Sequence, residues 1–228
     1  ENGQVLIDGF YDTVEPLRPD EQAALEAIPP YDAELKKELG ITWSEGEPES
    51  LNQRLLLPSL TVRGLESGNV GSRARNVIPA TATATLGIRM VKGNETEYML
   101  DVVEAHIRSQ GYHIVYEEPN QDVRLQHDKI ALVQRGTGYR AARTEMGLPA
   151  VQEIIEATRL AAGDQLVLIP ALGGSLPLYL FTEFLEKPAV IVPIANHDDN
   201  QHSPDENLRI RNLWYGIDLY AALLTMPT

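Results

Sequence analysis

The 228-residue sequence contains no cysteine. The absence of thiols excludes disulfide bonds, a thiolate nucleophile and zinc sites built on Cys ligands. It leaves the cellular compartment open, because exported proteins can also lack cysteine. Any metal ion bound to this chain must be held by His, Asp or Glu, which is the ligand set of hydrolytic zinc, cobalt or manganese.

Basic residues are also scarce, because 19 Lys and Arg stand against 33 Asp and Glu, for a net charge of −14. A surface this acidic repels phosphate backbones and anionic lipid headgroups. No apolar run approaches the roughly 18 residues that a membrane-spanning helix needs. We therefore expect neither a nucleic-acid partner nor a membrane partner.

The first residues, ENGQVLIDGFYD, contain neither an initiator Met nor a signal peptide. This beginning predicts that the chain is a fragment of a longer protein. The apolar run between Gly3 and Gly9 predicts a strand. Charge and proline dominate the rest of residues 1–55, which predicts an extended connector with short helices at 19–27 and 31–39.

Residues 56–125 show the pattern of a small α+β unit. LLLPSLTVRGLES predicts a strand, and residues 80–90 alternate between apolar and polar side chains as a half-buried strand does. ETEYMLDVVEAHIRSQG predicts an amphipathic helix that ends at Gly111, and YHIVYEE predicts a further strand. This order is typical of part of a ferredoxin-like α+β layer.

In residues 126–228, predicted helices alternate with continuous apolar strands. QLVLIPAL and PAVIVPIA predict buried strands, and the helices are predicted over LPAVQEIIEATRLAAG, LPLYLFTEFLE and NLRIRNLWYGIDLYAALL. Such alternation favours a parallel α/β sheet that is covered on both faces. The predicted fold class is therefore α/β, with part of a parallel-sheet domain beside a partial α+β domain.

The segment ANHDDNQHSPDENLRI, residues 195–210, is rich in metal-ligand residue types. Ser203 and Glu206 have the spacing of a capping box, so a helix start explains both of them. His202 directly precedes this predicted cap, after a predicted strand, where open α/β sheets place their sites. An imidazole fixed between a loop and a helix start has the constant direction that a metal ligand needs. A histidine that binds no metal is the alternative, because most lone histidines are not ligands.

This segment does not form a complete metal site by itself in our interpretation. A zinc site needs three protein ligands that converge on one point. Asp198 and Asp199 are adjacent and cannot both point inward from an extended loop, so they are more typical of a solvated turn.

Three further stretches offer contacts to an anion. The turn Gly173-Gly174-Ser175 lies between a predicted strand and a predicted helix, where exposed N–H groups suit a carboxylate. A tight turn with Ser175 near a helix cap explains it equally well. Asn76 and Arg89 flank VIPATATATLGI, and Arg89 is the lone charge on the Thr face of its predicted strand. An ordinary exposed arginine is the alternative for Arg89. Arg143 is a weaker candidate, with a surface arginine as its alternative.

The stretches ARNVIPATATATLGIRMV, ALGGSLPLYLF and NHDDNQHSPDENLRI together resemble the M20 family of metallopeptidases. This family includes carboxypeptidases, carnosinase-type dipeptidases, aminoacylases and acetylornithine-deacetylase-like amidohydrolases. The resemblance implies a metallohydrolase catalytic domain with an inserted lid, which is usually the dimer interface. It places residues 1–55 as a connector within the lid insertion, 56–125 in the second half of the lid and 126–228 in the last part of the catalytic domain.

The resemblance also implies roles for particular residues. His202 corresponds to a metal ligand, for one or two Zn²⁺ ions, with Co²⁺ or Mn²⁺ as alternatives. Asn76 and Arg89 correspond to substrate contacts that often reach across from a partner subunit; thirteen residues separate them, so we expect Pro79 to end the strand and leave Asn76 in the preceding turn. The substrate carboxylate pocket corresponds to Gly173, Gly174 and Ser175.

Other parts of the family's metal site have no counterpart in this chain. Its first metal motif, a His-x-Asp that precedes the lid, has no counterpart there, since the stretch of that form in this sequence, His197-Asp198-Asp199, follows the lid. Glu117-Glu118 lies at the end of a predicted lid strand, where a general base does not belong. We therefore expect no catalytic base in this chain and place the base upstream of it.

The resemblance predicts metal-dependent hydrolysis of a peptide or amide bond in small peptides or N-acyl amino acids, by a homodimer of the intact protein. Two alternatives stay open. In the first alternative, the chain is a non-catalytic dimerisation or interaction fragment. In the second, the enzyme is an N-acyl amino-acid deacylase and not a peptidase.

Overall fold

The structure is a computed structural model that describes residues 2–163 and 166–226. It divides into two compact units, the first formed by the residues up to Pro16 with Tyr31–Ala141, the second by Leu17–Pro30 with the residues from Ala142 onward. The helices and strands are α1 Pro19–Glu26, α2 Asp32–Leu39, α3 Leu51–Arg54, β1 Ser59–Glu66, β2 Thr83–Arg89, α4 Thr96–Ser109, β3 His113–Val115, α5 Gln121–Gln126, β4 Ile130–Leu132, α6 Pro149–Ala162 and α7 Ile210–Leu224.

The first unit contains two small sheets. Strands β1 and β2 form an antiparallel hairpin in which Ser59 pairs with Arg89 and Glu66 pairs with Thr83, and a bulge between Val62 and Gly64 shifts the register. Strands β3 and β4 form a short parallel pair. These sheets and the helices around them confirm the mixed α/β class.

The apolar face of the hairpin is more exposed than its alternating pattern predicts. Val62 is 61% exposed, Leu65 77% and Leu86 41%. A two-stranded ribbon has no second layer of its own, and burial of one face requires a helix or a second sheet against it. The strand was therefore predicted correctly, whereas the burial of its face was not.

The N-terminal segment docks onto the region where α4 begins. Phe10 is completely buried, the Tyr98 hydroxyl donates to the carbonyl of Gly9 at 3.1 Å, and the side-chain amide of Asn94 donates to Thr13 Oγ1 at 2.9 Å. The strand predicted between Gly3 and Gly9 is absent from this segment, which forms turns instead. Phe10 reaches a core without the ladder hydrogen bonds of a sheet, whereas Leu6 is exposed.

A network of charges fixes the segment after β4 to α4. The guanidinium of Arg135 donates to Glu104 at 2.7 Å, to Glu97 at 2.9 Å and to Asp101 at 2.6 Å. The Tyr116 hydroxyl donates to the second oxygen of Glu104 at 2.6 Å. The Glu104 side chain is only 3% exposed, so its charge is fully committed to these partners.

This network predicts a pH dependence of stability. The hydrogen bond from Arg135, opposed by burial and assisted by Tyr116 and Arg108, lowers the pKa of Glu104 from 4.5 to about 2. A lowered carboxyl pKa stabilises the fold above the unfolded-state pKa, and this contribution of about 3 kcal/mol disappears as the pH falls from 4.5 through 2. Urea unfolding of the wild type should show this loss. Glu104→Gln should lack it, and parallel curves for the two proteins would contradict the assignment.

The second unit is built on α6 and α7, which pack against each other. Val151 and Ile155 of α6 are buried, and so is Leu219 of α7. Gly216 allows the close approach of Ile194, because a Cβ at position 216 would lie 3.1 Å from Ile194 Cδ1. No helix in the described ranges is long and apolar enough to cross a bilayer.

A buried ion pair joins α1 to the segment before α6. Arg143 Nε lies 3.2 Å from Glu21 Oε1, with the two side chains 4% and 0% exposed. The other oxygen of Glu21 accepts the backbone N–H of Arg18 at 2.8 Å. Arg143 is therefore a buried arginine that pairs with Glu21. It is neither the surface arginine nor the contact for a substrate anion expected from the sequence.

Several elements predicted for residues 126–228 do not form. The run QLVLIPAL, whose first residue lies outside the described residues, and the run PAVIVPIA form no strand. An apolar run becomes a strand only where a neighbouring strand supplies ladder hydrogen bonds, and neither run has such a ladder in the described part of the chain. The helix predicted over LPLYLFTEFLE is reduced to a π-helical turn at Leu180–Phe184.

Candidate functional site

The loop that holds His202 is closed at its base by Asn196. This side chain is buried, its amide NH₂ donates to Asp198 Oδ1 at 2.9 Å, and its carbonyl oxygen accepts the backbone N–H of Arg209 at 3.0 Å. A second bond, from Asn207 N–H to the carbonyl of Asp199 at 2.8 Å, crosses the loop. The loop is thus a defined structure that positions His202 from both sides.

Asp198 serves this loop as a structural anion. Its carboxylate accepts from Asn196 and forms an ion pair with Arg209. The hydrogen bond from Asn196, together with the nearby charge of Arg209, lowers the pKa of Asp198 below its ordinary value. Asp198 therefore stays ionised and closes the loop.

Three residues of the loop adopt the left-handed backbone conformation without being glycine. The φ angles are +57° at Asn200, +63° at His202 and +64° at Asp205. Asn and Asp tolerate this region, whereas at His202 it costs on the order of 1 kcal/mol. Backbone strain of this kind clusters at functional sites.

The predicted capping box is wrong. Helix α7 begins at Ile210 with Arg209 as its N-cap, so Ser203 and Glu206 lie in the turn before it. The left-handed residues of the loop delay the helix, because a helix cannot start until the backbone returns to the right-handed region. Ser203 and Glu206 are therefore free of the capping role assigned to them.

The side chain of His202 is exposed in its turn. Within residues 2–163 and 166–226, no three His, Asp or Glu side chains converge as metal ligands would. A zinc site needs three protein ligands, so the residues described do not make up one by themselves. That His202 faces a cleft and binds metal stays a prediction.

The glycine turn is exposed and forms a bend at Gly173 and Gly174. No helix starts directly after it, since the π-helical turn begins only at Leu180. The helix N-terminus expected to attract a carboxylate is therefore absent there. A Cβ at Gly174 would meet nothing within 4 Å, so the fold does not itself require glycine at that position.

Asn76 and Arg89 belong to the first unit, at the two sides of β2. Arg89 is the last residue of β2, and Asn76 lies in an exposed bend that Pro79 separates from the strand. The bend before β2 agrees with the expected break at Pro79. Asn76 and Arg89, which are thirteen residues apart, are therefore not held on opposite faces of one regular strand.

Arg63 carries no motif in the sequence, and the bulge of β1 brings it onto the Thr face of β2. A Cβ at Gly87 would lie 2.7 Å from Cδ and 3.2 Å from Cγ of Arg63, so this arginine lies across the glycine. Arg89 follows on the same face two residues later. In the sequence, Gly87 interrupts the alternating Thr residues of β2. That Arg63 lies across this glycine could not be predicted without the register of β1 against β2.

A family model described as a peptidase dimerisation domain, that of the M20 peptidases, matches residues 23–115. Residues 23–115, most of which lie in the first unit, are thus similar to a peptidase dimerisation domain.

Relatives extend the match over both units. The chain is 26% identical over 226 residues to the Cys-Gly metallodipeptidase dug1 of Schizosaccharomyces pombe, with 96% of the chain and 44% of that protein covered. It is 25% identical to the human Beta-Ala-His dipeptidase, with 97% of the chain and 42% of that protein covered. The chain thus spans less than half the length of these relatives.

Solved structures agree with the fold. The M20 family metallo-carboxypeptidase of Sulfolobus solfataricus superposes with a TM-score of 0.74 at 22% identity, over 98% of the chain and 48% of that protein. The di-peptidase Dug1p of Saccharomyces cerevisiae gives 0.69 at 26% identity, over 98% of the chain and 45% of that protein. These matches confirm the resemblance to the M20 metallopeptidases that the motifs predicted.

Proposed function

We propose that the complete protein of which this chain is a part hydrolyses the peptide bond of small peptides with the help of a bound metal ion. The observation that supports this most strongly is the relationship to metallodipeptidases over 96% of the chain, since it includes both the hairpin and the His202 loop. Metal dependence is part of the name of the Cys-Gly metallodipeptidase dug1. Zinc is our choice of ion, with cobalt or manganese as alternatives.

In this proposal His202 supplies one metal ligand. Its loop is closed by buried and ionised side chains, which would hold the imidazole in a fixed direction, as a ligand requires. The remaining ligands and the general base come from other parts of the complete protein. When bound, the metal ion would polarise the scissile carbonyl and make a bound water acidic.

Asn76 and Arg89 are proposed to hold the substrate in position. A guanidinium binds a carboxylate or a developing oxyanion through parallel N–H donors, and the amide of Asn76 adds a neutral donor. The turn of Gly173, Gly174 and Ser175 would offer backbone N–H groups to the other end of the substrate. The open space around Gly174 leaves room for that approach.

Replacement of Arg89 with alanine should impair turnover far more than stability. Arg89 ends an exposed strand, so its loss removes little packing, whereas loss of one oxyanion donor lowers kcat by about 100-fold or more. Steady-state kinetics and urea unfolding of the complete protein test this. Arg73→Ala, in the 3₁₀ turn Gly71–Arg73 of the same hairpin, is the matched control and should keep both properties. Wild-type kinetics for Arg89→Ala would remove it from the site.

The domain roles follow from the same proposal. Residues 1–55 would be a connector in the lid insertion, 56–125 the second half of the lid and 126–228 the last part of the catalytic domain. The lid would form a homodimer, for which the exposed apolar residues Val62, Leu65 and Leu86 of the hairpin are suitable. Two measurements test the non-catalytic alternative: sedimentation of the chain and an activity assay of the complete protein. A dimeric chain together with an inactive complete protein would favour that alternative.

The choice between a dipeptidase and a deacylase rests on substrate. The curated relatives named above are dipeptidases, which favours a peptide over an N-acyl amino acid. A panel of dipeptides and N-acetyl amino acids, offered to the complete protein, separates the two. Faster hydrolysis of the N-acetyl compounds would overturn the dipeptidase assignment.

A further inference from the structure

The hairpin from Ser59 to Arg89 is a cationic segment in a strongly acidic protein. It contains four arginines and a single acidic residue, Glu66, while the whole chain has a net charge of −14. Glu66 pairs with Thr83, at the opposite end of the hairpin from Arg89. The single acidic residue of the hairpin therefore lies away from the end that carries Arg89.

Arginines elsewhere in the first unit are neutralised by carboxylates. Arg135 contacts three acidic side chains, and Arg140 pairs with Glu95 at 2.7 Å. Arg63 differs, since in the ranges 2–163 and 166–226 it forms no ion pair or hydrogen bond through its guanidinium. An unpaired guanidinium in an acidic protein is available to an external anion.

The bulge gives Arg63 its direction. Arg63 is the extra residue between Val62, which faces Leu86, and Gly64, which faces Thr85. Its Cγ and Cδ nevertheless lie over Gly87. The side chain has therefore moved along β2 toward the end that carries Arg89. Strand residues two apart on one face are separated by about 7 Å, which a carboxylate between two long side chains can bridge.

Gly87 makes this position possible. With any Cβ at position 87, an atom would lie 2.7 Å from Arg63 Cδ, and the arginine would be displaced. The backbone of Gly87 does not have a positive φ, so the strand itself does not require glycine. Packing against Arg63 is what the structure shows for this glycine.

We propose that Arg63 is a second carboxylate-binding arginine, which binds a substrate carboxylate together with Arg89. The inference rests on the proposed function for its biological meaning, and its ligand class is a small molecule with a free carboxylate. Two guanidinium groups present only N–H donors and positive charge, which a carboxylate can accept at both of its oxygens. A neutral amide in the same position has one acceptor oxygen and an NH₂ donor, so the pair of arginines would bind it less tightly.

The test is a titration of the complete protein with N-acetylglycine and with N-acetylglycine amide. The wild type should bind the acid and not the amide. Arg63→Met should raise the Kd for the acid about tenfold, and Arg63→Lys should have a smaller effect, because a lysine keeps the charge but loses the planar fork. Arg73→Met removes a hairpin charge elsewhere and should leave the Kd within about twofold at physiological salt.

Gly87→Ala supplies a second, independent variant. It should weaken binding of the acid in the wild type but have no further effect in the Arg63→Met background, because both changes act through one side chain. Equal affinities of wild type and Arg63→Met, or no preference for the acid in the wild type, would overturn the inference. Intact acid binding without hydrolysis of any peptide would count against the proposed function alone.

Discussion

Replacement of Glu21 with alanine is expected to lower the free energy of unfolding by about 3–5 kcal/mol. Glu21 is completely buried, and its Oε1 lies 3.2 Å from Nε of the nearly buried Arg143. Oε1 accepts no hydrogen bond among the described residues, so the contact with Arg143 is one of charge. The substitution leaves a buried guanidinium without its carboxylate and also removes the acceptor for the Arg18 N–H. Urea unfolding of the two proteins measures the loss.

The double variant Glu21→Leu with Arg143→Met separates the pair's charge from its packing. Removing both charges avoids an uncompensated buried ion, and apolar replacements of buried ion pairs are often neutral or stabilising. We expect the double variant to be more stable than Glu21→Ala. A loss below about 1 kcal/mol in Glu21→Ala would show that water reaches Arg143.

Replacement of His202 with asparagine is expected to lower the metal-dependent activity of the complete protein by more than about 100-fold. Loss of residues that only orient a metal ligand already costs 10–100-fold, and loss of a ligand costs more. The physical reason for choosing asparagine is the φ of +63° at this position, which asparagine adopts readily. The backbone of the loop should therefore persist while the imidazole is removed.

The matched control is His197→Asn. His197 lies in the same loop, and it is not one of the proposed metal ligands. Metal content and hydrolysis rate are measured for both variants, with thermal unfolding as the check on folding. We expect normal metal content in His197→Asn and a reduced content in His202→Asn. Full activity in His202→Asn would exclude His202 as a ligand.

The first unit was the more predictable part of the fold. The periodicity of residues 96–109 gave α4, and the positive φ of Gly111 directly after its C-cap agrees with the predicted end of the helix. These are local signals, because a helix satisfies its own hydrogen bonds. The charge network around Glu104 was not predictable, since Arg135 lies 31 residues away in the sequence.

The second unit shows why apolar runs are ambiguous. Helix α6 formed as predicted, because its amphipathic pattern is confined to one segment. The runs QLVLIPAL and PAVIVPIA read as strands, but strands depend on neighbours that no local pattern specifies. In α7, Leu213, Trp214 and Ile217 are exposed, whereas Leu219 is buried. The helix is apolar on more than one side, so the sequence could not tell which side packs on α6.

The candidate site was predictable in its residue types and not in its geometry. The order of the motifs predicted the resemblance to the M20 family, which the comparisons confirm. The left-handed turn at His202, the base formed by Asn196 and the position of Arg63 all depend on tertiary contacts. Asn196 and Arg63 carry no unusual pattern of their own, and only the loop closure and the strand register reveal them.

The central claim is that this chain brings a single metal ligand, His202, to a site that other parts of the protein complete. Isothermal titration of Zn²⁺ into the 228-residue chain tests this most directly. One imidazole cannot hold zinc tightly, so we predict no saturable binding with a Kd below about 1 µM. Stoichiometric sub-micromolar binding, retained in His202→Asn, would show a complete metal site elsewhere in the chain and would contradict the claim.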